Sequence, residues 1–190
     1  MGGKDELRYK LKIKRRYFEG VRREYADLAI LDNFIAALAE GGQESFFVYN
    51  SFGTEASTQL IIKRLLRLGK AVYLPRVEGE NIVPVRFCGG DTLEGGAFGI
   101  QEPRGQAFDG LIDVTVVPLL AVNGAGYRVG YGGGYYDRYL RRTETKRVGL
   151  GYRFQLEEFE NDCWDEPLDM FVCEKGIFYF GNSADQRGKK

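Results

Sequence analysis

Gly124-Ala-Gly-Tyr-Arg-Val-Gly-Tyr-Gly-Gly-Gly-Tyr-Tyr-Asp-Arg138 is the stretch on which the reading of this chain turns. Six glycines fall between positions 124 and 134, with Arg128 among them and Asp137-Arg138 closing the run. The apolar segment Ile112-Asp-Val-Thr-Val-Val-Pro118 leads in, and a helix-like segment from Tyr135 to Arg142 leads out. The stretch therefore reads as a loop between the end of a strand and the start of a helix. Glycine tolerates positive φ and lets backbone approach a ligand closely. Successive N–H groups in such a turn make a concave nest for anions, and the N-terminus of the helix that follows adds partial positive charge. Arg128 adds a full charge on a fork that fits phosphate oxygens. A Walker loop is excluded because no lysine is present, and a dinucleotide fingerprint because Tyr135 stands where the third glycine belongs. The plain alternative, a flexible surface turn, does not explain why so many glycines sit together with Arg128, paired aromatics and Asp137.

The 190 residues suit one domain with a substantial core. The expected boundaries are residues 1–181 for an α/β domain and 182–190 for a polar, disordered tail. Lys and Arg number 27, as do Asp and Glu, so no global field favours nucleic acid or an acidic membrane. No apolar run is long enough to span a bilayer and no signal-peptide core is evident, so a cytoplasmic location is expected. Cys88, Cys163 and Cys173 are too few and too scattered for a disulfide framework or zinc site. Histidine is absent, which excludes Ser-His-Asp and Cys-His catalysis and any histidine base or metal ligand.

Residues 4–18 read as a basic helix with Lys4, Arg8 and Lys12 on one face and Leu7, Leu11 and Phe18 on another. That cationic row is either a solvated surface or a polyphosphate contact. A second helix is expected over 24–40, with Leu28, Leu31, Phe34, Ile35 and Leu38 as its buried stripe. Strands are expected over 46–50 and 71–75, joined by a helix from Thr54 as N-cap to Leu68. This is the strand-helix-strand unit of a parallel crossover. Glu55 in the first turn either complements the helix dipole or binds a donor group of a ligand. Further strands are expected at 84–88, 147–152 and 175–180, the last at an edge, with 89–110 loop-rich and 156–172 acidic and irregular. The fold expected is three-layer α/β/α around a mostly parallel central sheet. The segments Asn50–Glu55, Pro75–Val77, Leu119–Gly134 and Tyr152–Gln155 then leave strands at one end and converge on one pocket.

That pocket would hold an anion nest, an arginine, the stacking candidates Tyr131, Tyr135 and Tyr136, and two carboxylates, Asp137 and Asp169. Mg²⁺ is commonly held by one or two carboxylates plus phosphate oxygens and water. The bland roles are a helix-dipole partner for Asp137 and an Asx turn for Asp169. Phosphoryl transfer from a nucleotide suits such parts, because it asks for positioning and charge rather than a protein nucleophile.

The stretch Gly126-Tyr-Arg-Val-Gly-Tyr-Gly-Gly-Gly-Tyr-Tyr-Asp-Arg138, preceded by Val117-Pro118, resembles the signature of the 5-formyltetrahydrofolate cyclo-ligases. Weaker matches follow in order: Lys4-x-x-x-Arg8, Glu55-x-x-Thr58, Leu74-Pro75-Arg76, Gly99-Ile-Gln-Glu-Pro103, Gln155 and Asp165-x-x-x-Asp169. The resemblance spans roughly residues 4–180. It implies an α/β/α fold and conversion of 5-formyltetrahydrofolate to 5,10-methenyltetrahydrofolate, with ATP as co-substrate and Mg²⁺ as cofactor. The formyl oxygen attacks the γ-phosphate and ADP leaves; N10 then closes the ring on the activated carbon and phosphate departs. By the same resemblance Lys4, Arg8, Arg128, Val129, Gly130, Tyr131, Gly132, Gly133, Gly134, Tyr135 and Tyr136 hold ATP. Asn50, Glu55, Tyr131, Gly132, Gly133, Gly134 and Tyr135 line the folate site, with Arg128 and Glu55 the catalytic pair and Asp137 and Asp169 the metal ligands. The folate, with or without a polyglutamate tail, and ATP are the expected partners, and a monomer is expected. Trp164 departs from the family pattern, since many members carry histidine there. The runner-up is a module of the same fold that binds nucleotide or folate without turnover. An RNA-associated protein using the basic helix and a sugar-phosphate isomerase are remoter alternatives.

Overall fold

The computed structural model describes residues 3–39, 41–96 and 99–181; the tail expected over 182–190 lies outside them. In chain order come α1 (Lys4–Tyr17), α2 (Val21–Phe34), a π-helical turn (Ile35–Ala39), β1 (Ser45–Val48) and α3 (Gln59–Arg67). Next are β2 (Ala71–Glu78), β3 (Asn81–Phe87), β4 (Leu93–Gly95), β5 (Gln101–Pro103), β6 (Val114–Pro118), β7 (Ala121–Val122) and β8 (Arg128–Val129). The chain closes with α4 (Tyr135–Arg141), β9 (Lys146–Leu150), a 3-10 turn (Arg153–Gln155), β10 (Met170–Cys173) and β11 (Gly176–Tyr179).

The main sheet has seven strands in the order β11-β10-β9-β6-β1-β2-β3. Its inner pairs are parallel, and antiparallel hairpins close both edges. Phe46, Val48, Val114, Val116, Val148 and Leu150 point to the face covered by α2 and α3, and Phe47, Val117 and Phe171 to the face covered by α4. Central strands are apolar on both sides because helices cover both faces, the three-layer arrangement the sequence leads one to expect. From β1 the chain crosses to β2 on one side; from β6 it crosses to β9 and β10 on the other. The order reverses between β1 and β6, and at such a switch point the connections diverge and leave a crevice at the carboxyl ends of the strands.

Several expectations need correction. The helix after β1 begins at Gln59 with Thr58 at its N-cap, not Thr54, so Glu55 belongs to the preceding loop rather than to a first turn. Leu28 is exposed, and the buried stripe of α2 is Ala26, Ile30 and Phe34. The π-turn adds a residue to the helical repeat, which brings Ile35 and Leu38 inward. β2 continues through Pro75–Val77, pairing with β3, so this segment is strand and not loop. Met170–Cys173 is a buried strand that begins within the 156–172 stretch read as irregular.

The glycine-rich run is more than one loop. Arg128-Val129 pairs back onto Ala121-Val122 as a short hairpin, and Leu11 of α1 packs on Ala121 and Val129. Gly126 makes the hairpin turn possible at φ 85°. A Cβ there would stand 2.9 Å from the Leu168 carbonyl oxygen and 2.8 Å from the Phe180 ring. Gly126→Ala is therefore expected to lower stability by about 2 kcal/mol or more; an unchanged urea midpoint would contradict this packing.

Candidate active site

Beyond the carboxyl ends of β1 and β6 lies a cleft of about 930 Å³. Its floor is the Gly130–Gly134 segment. Gly132 and Gly134 have φ of 104° and 67°, whereas Gly133 has no positive φ. Gly134 is the N-cap of α4, so the segment ends at the positive pole of a helix start. A Cβ on Gly132 would meet nothing within 4 Å, so what glycine supplies at that position is backbone conformation rather than space.

α1 runs along one wall. Lys4, Arg8, Lys12 and Arg15 all line the cleft, so the cationic row faces this cavity. Lys4 Nζ donates to Asp162 and Asp165 at 2.5 and 2.6 Å. Burial works against its charge, but these two carboxylates outweigh it and hold Lys4 above the ordinary lysine pKa. Arg8 Nε donates to the Gly130 carbonyl at 3.0 Å and so fixes the start of the glycine segment.

At the opposite end sits a polar cluster of Glu55 and Tyr131 with Arg15, a residue the sequence pattern did not single out. Arg15 is 4% exposed. Its Nε donates to Thr54 Oγ1 at 3.2 Å, its Nη1 to the Leu119 carbonyl at 3.3 Å and its Nη2 to the Tyr131 hydroxyl at 2.7 Å. Tyr131 in turn hydrogen-bonds Glu55, which is 8% exposed and accepts from the Phe52 N–H at 2.8 Å. Behind them Arg23 donates to the Gly53 and Glu55 carbonyls and to Tyr152, whose hydroxyl donates to Asp27. Burial pushes Glu55 above the ordinary glutamate range, with the Phe52 N–H, Tyr131, Arg15 and Arg23 opposing it. Burial raises Tyr131 as well, helped by the charge of Glu55. Arg15 lies on the Leu7–Leu11 side of α1, one turn beyond Leu11; that spacing was the available signal.

Arg128 is placed differently from a free phosphate fork. It is 6% exposed, its Nη2 is 3.0 Å from Asp137 and its Nη1 donates to the Glu166 carbonyl. It still borders the cleft. Truncating it would therefore cost stability as well as any ligand contact, because Asp137 would lose its partner. Val129 borders the cleft too, but its side chain is core. Tyr135 and Tyr136 line the cleft; Tyr136 also packs on Phe47. Asn50 lines it with its amide engaged by Gln101 and Gln59.

The two acidic residues expected together are apart. Asp137 lines the cleft, but Asp169 does not: its carboxylate accepts the Arg147 N–H at 2.7 Å where β9 begins, at the amino end of the strands. Asp137 accepts the Glu166 N–H at 3.4 Å, which brings the segment of Asp165, a cleft-lining residue, to the same wall. Gln155 is also outside the cleft, buried with its amide on the Leu119 and Leu120 carbonyls, so the 152–155 segment buttresses the loop after β6 from behind.

The family model described as "5-formyltetrahydrofolate cyclo-ligase family" matches residues 1–174. The chain belongs to this family. It is 27% identical to the 5-formyltetrahydrofolate cyclo-ligase of Haemophilus influenzae over 176 residues, covering 87% of this chain and 94% of that one. The Escherichia coli cyclo-ligase is 35% identical over 142 residues, 69% of this chain and 78% of that protein. Among solved structures, the Aquifex aeolicus 5,10-methenyltetrahydrofolate synthetase superposes with a TM-score of 0.85 at 32% identity, covering 95% of this chain and 94% of that one. The Aquifex aeolicus structure shares the architecture that carries the cleft.

The buried acid of this cyclo-ligase-family site makes a pH prediction. Glu55 has a raised pKa in the folded protein, so the native state holds its proton more tightly than the unfolded chain. Its contribution to stability is present below the unfolded glutamate pKa and is lost as pH rises through the folded value. Glu55→Gln keeps the shape without the charge. It should match the parent at acid pH and exceed its stability at pH 8 in urea denaturation; a parallel pH dependence of the two proteins would contradict this.

Proposed function

We propose that the chain is a 5-formyltetrahydrofolate cyclo-ligase, converting 5-formyltetrahydrofolate and ATP to 5,10-methenyltetrahydrofolate, ADP and phosphate. The observation that carries the proposal is that the Gly132–Gly134 anion nest and the Glu55–Tyr131–Arg15 cluster open into one cleft, so a triphosphate and a polar heterocycle can meet there. The nest and the α4 N-terminus receive phosphate oxygens, and Lys4, Arg8 and Arg128 supply the positive charge. Glu55, aimed by Phe52 N–H and Tyr131, accepts from the donor edge of the pterin. These contacts set the formyl oxygen and the terminal phosphorus in line, and positioning of this kind is the main catalytic demand in phosphoryl transfer.

The donor set fits Mg²⁺ when nucleotide is present. Asp137 and Asp165 both face the phosphate end of the cleft, each neutralised by a cation, Arg128 and Lys4 respectively. Among the described residues no group of three or more His, Cys, Asp or Glu could hold a metal alone, so the remaining ligands must come from phosphate and water. When bound, Mg²⁺ neutralises charge on the terminal phosphates.

The test is formation of the methenyl product, followed by its absorbance, with ATP and Mg²⁺. Absence of ATP-dependent product from folded protein would favour the non-catalytic module. Asp165→Asn should cut turnover about a hundredfold and raise the Mg²⁺ requirement, since it removes a charge beside the transferred group. Asp169→Asn should instead lower the urea midpoint and leave turnover within a few-fold; the reverse pattern would assign the metal to Asp169.

A further inference from the structure

Trp164 is the sole tryptophan of the chain. It is 61% exposed and borders the cleft. Other aromatics of the chain are as exposed, such as Tyr9 and Tyr17, so what singles out Trp164 is its place at the rim of the cleft, where a flat ring can stack on a ligand. Its backbone is nonetheless held on both sides. Arg141 Nη2 donates to the Trp164 carbonyl at 2.7 Å. The turn around it closes through Asp165 N–H to the Asp162 carbonyl at 3.1 Å and Asp162 N–H to the Asp165 carboxylate at 2.9 Å, with Lys4 bridging both carboxylates. The indole is thus presented from a fixed base with its side chain uncommitted to the core.

The direction of the cleft gives this placement meaning. Lys4, beside Trp164, and Arg15, on Tyr131, are the two ends of the wall that α1 forms, about 16 Å apart along the helix axis. Arg8 meets Gly130 between them. In the reaction proposed above, the reacting phosphate points toward the Glu55–Tyr131 end. The nucleoside then extends the other way, past Asp137 and Asp165, toward Arg141 and Trp164. The other aromatic at that end, Tyr135, already has the Arg138 guanidinium 5.1 Å from its ring centroid. Trp164 offers an open flat face.

We propose that Trp164 is the platform on which the nucleobase of ATP stacks, and so a determinant of nucleotide specificity in the reaction assigned above, on which this inference rests. Stacking on an aromatic face favours a purine over a smaller pyrimidine and requires a base at all.

Because no other indole contributes, tryptophan fluorescence reads the contact directly. Titration with MgATP should quench it, whereas magnesium tripolyphosphate, which fills the phosphate nest without a base, should not. Trp164→Ala should raise the KM for ATP roughly tenfold with kcat changed far less, and narrow the preference for ATP over CTP. Trp164→Phe should restore most of both, and circular dichroism confirms folding of each variant. If ATP-dependent product forms while fluorescence is unmoved and Trp164→Ala keeps the parent KM and ATP-to-CTP ratio, the platform is refuted and the cyclo-ligase reading stands. Equal quenching by tripolyphosphate also refutes it. If no product forms at all, the cyclo-ligase reading fails and takes the platform with it.

Discussion

The site depends on one buried guanidinium. Arg15 bonds the loop after β1 through Thr54, the end of β6 through Leu119, and the glycine segment through Tyr131. A charge taken out of water is costly unless its donors are satisfied. The three acceptors can satisfy it only when α1, both strand ends and the glycine segment are in register. The penalty for any other arrangement makes the cluster an organiser of the cleft, and Glu55 is aimed because Tyr131 is.

The sheet supplies the frame for that cluster. Its order reverses between β1 and β6, so the connections on either side diverge and leave a crevice at their carboxyl ends. The β7–β8 hairpin then turns the chain back over β6 before α4 begins, and α1 packs onto it through Leu11. Behind the crevice, Gln155 bonds the Leu119 and Leu120 carbonyls, giving the loop after β6 hydrogen-bond partners without water. Arg128, paired with Asp137, ties the hairpin to the first turn of α4. The nest is therefore held from its own two ends as well as by Arg8.

Charge along the wall runs in alternation: Lys4 with Asp162 and Asp165, Arg128 with Asp137, Arg15 near Glu55. Lys4 and Arg128 are each paired with a carboxylate that lines the same cleft. Binding a polyphosphate then exchanges ion pairs rather than burying bare charge, which keeps the desolvation cost of the complex low.

Much of this was written in the order of residues. Apolar runs at 46–50, 71–75 and 112–118, with a helical pattern between the first two, indicate a parallel sheet covered on both faces, because both sides of each strand must be buried. The glycines around Arg128 mark a special backbone turn, because few other residues accept the φ found at Gly132 and Gly134. The absence of histidine narrowed the chemistry to charge and positioning. What the sequence could not settle were facts of three-dimensional neighbourhood. Asp165 and Asp169 differ by one helical-like interval in the chain, yet only the fold sends one to the cleft and the other to the amino end of β9. Arg15 was one cation among many until packing removed it from water. Arg128 looked like an open fork until Asp137 and Glu166 were seen to hold it. Local patterns fix what each segment can be; the contacts between distant segments, set by burial and by the need to satisfy every buried charge, decide which side chains share a cleft.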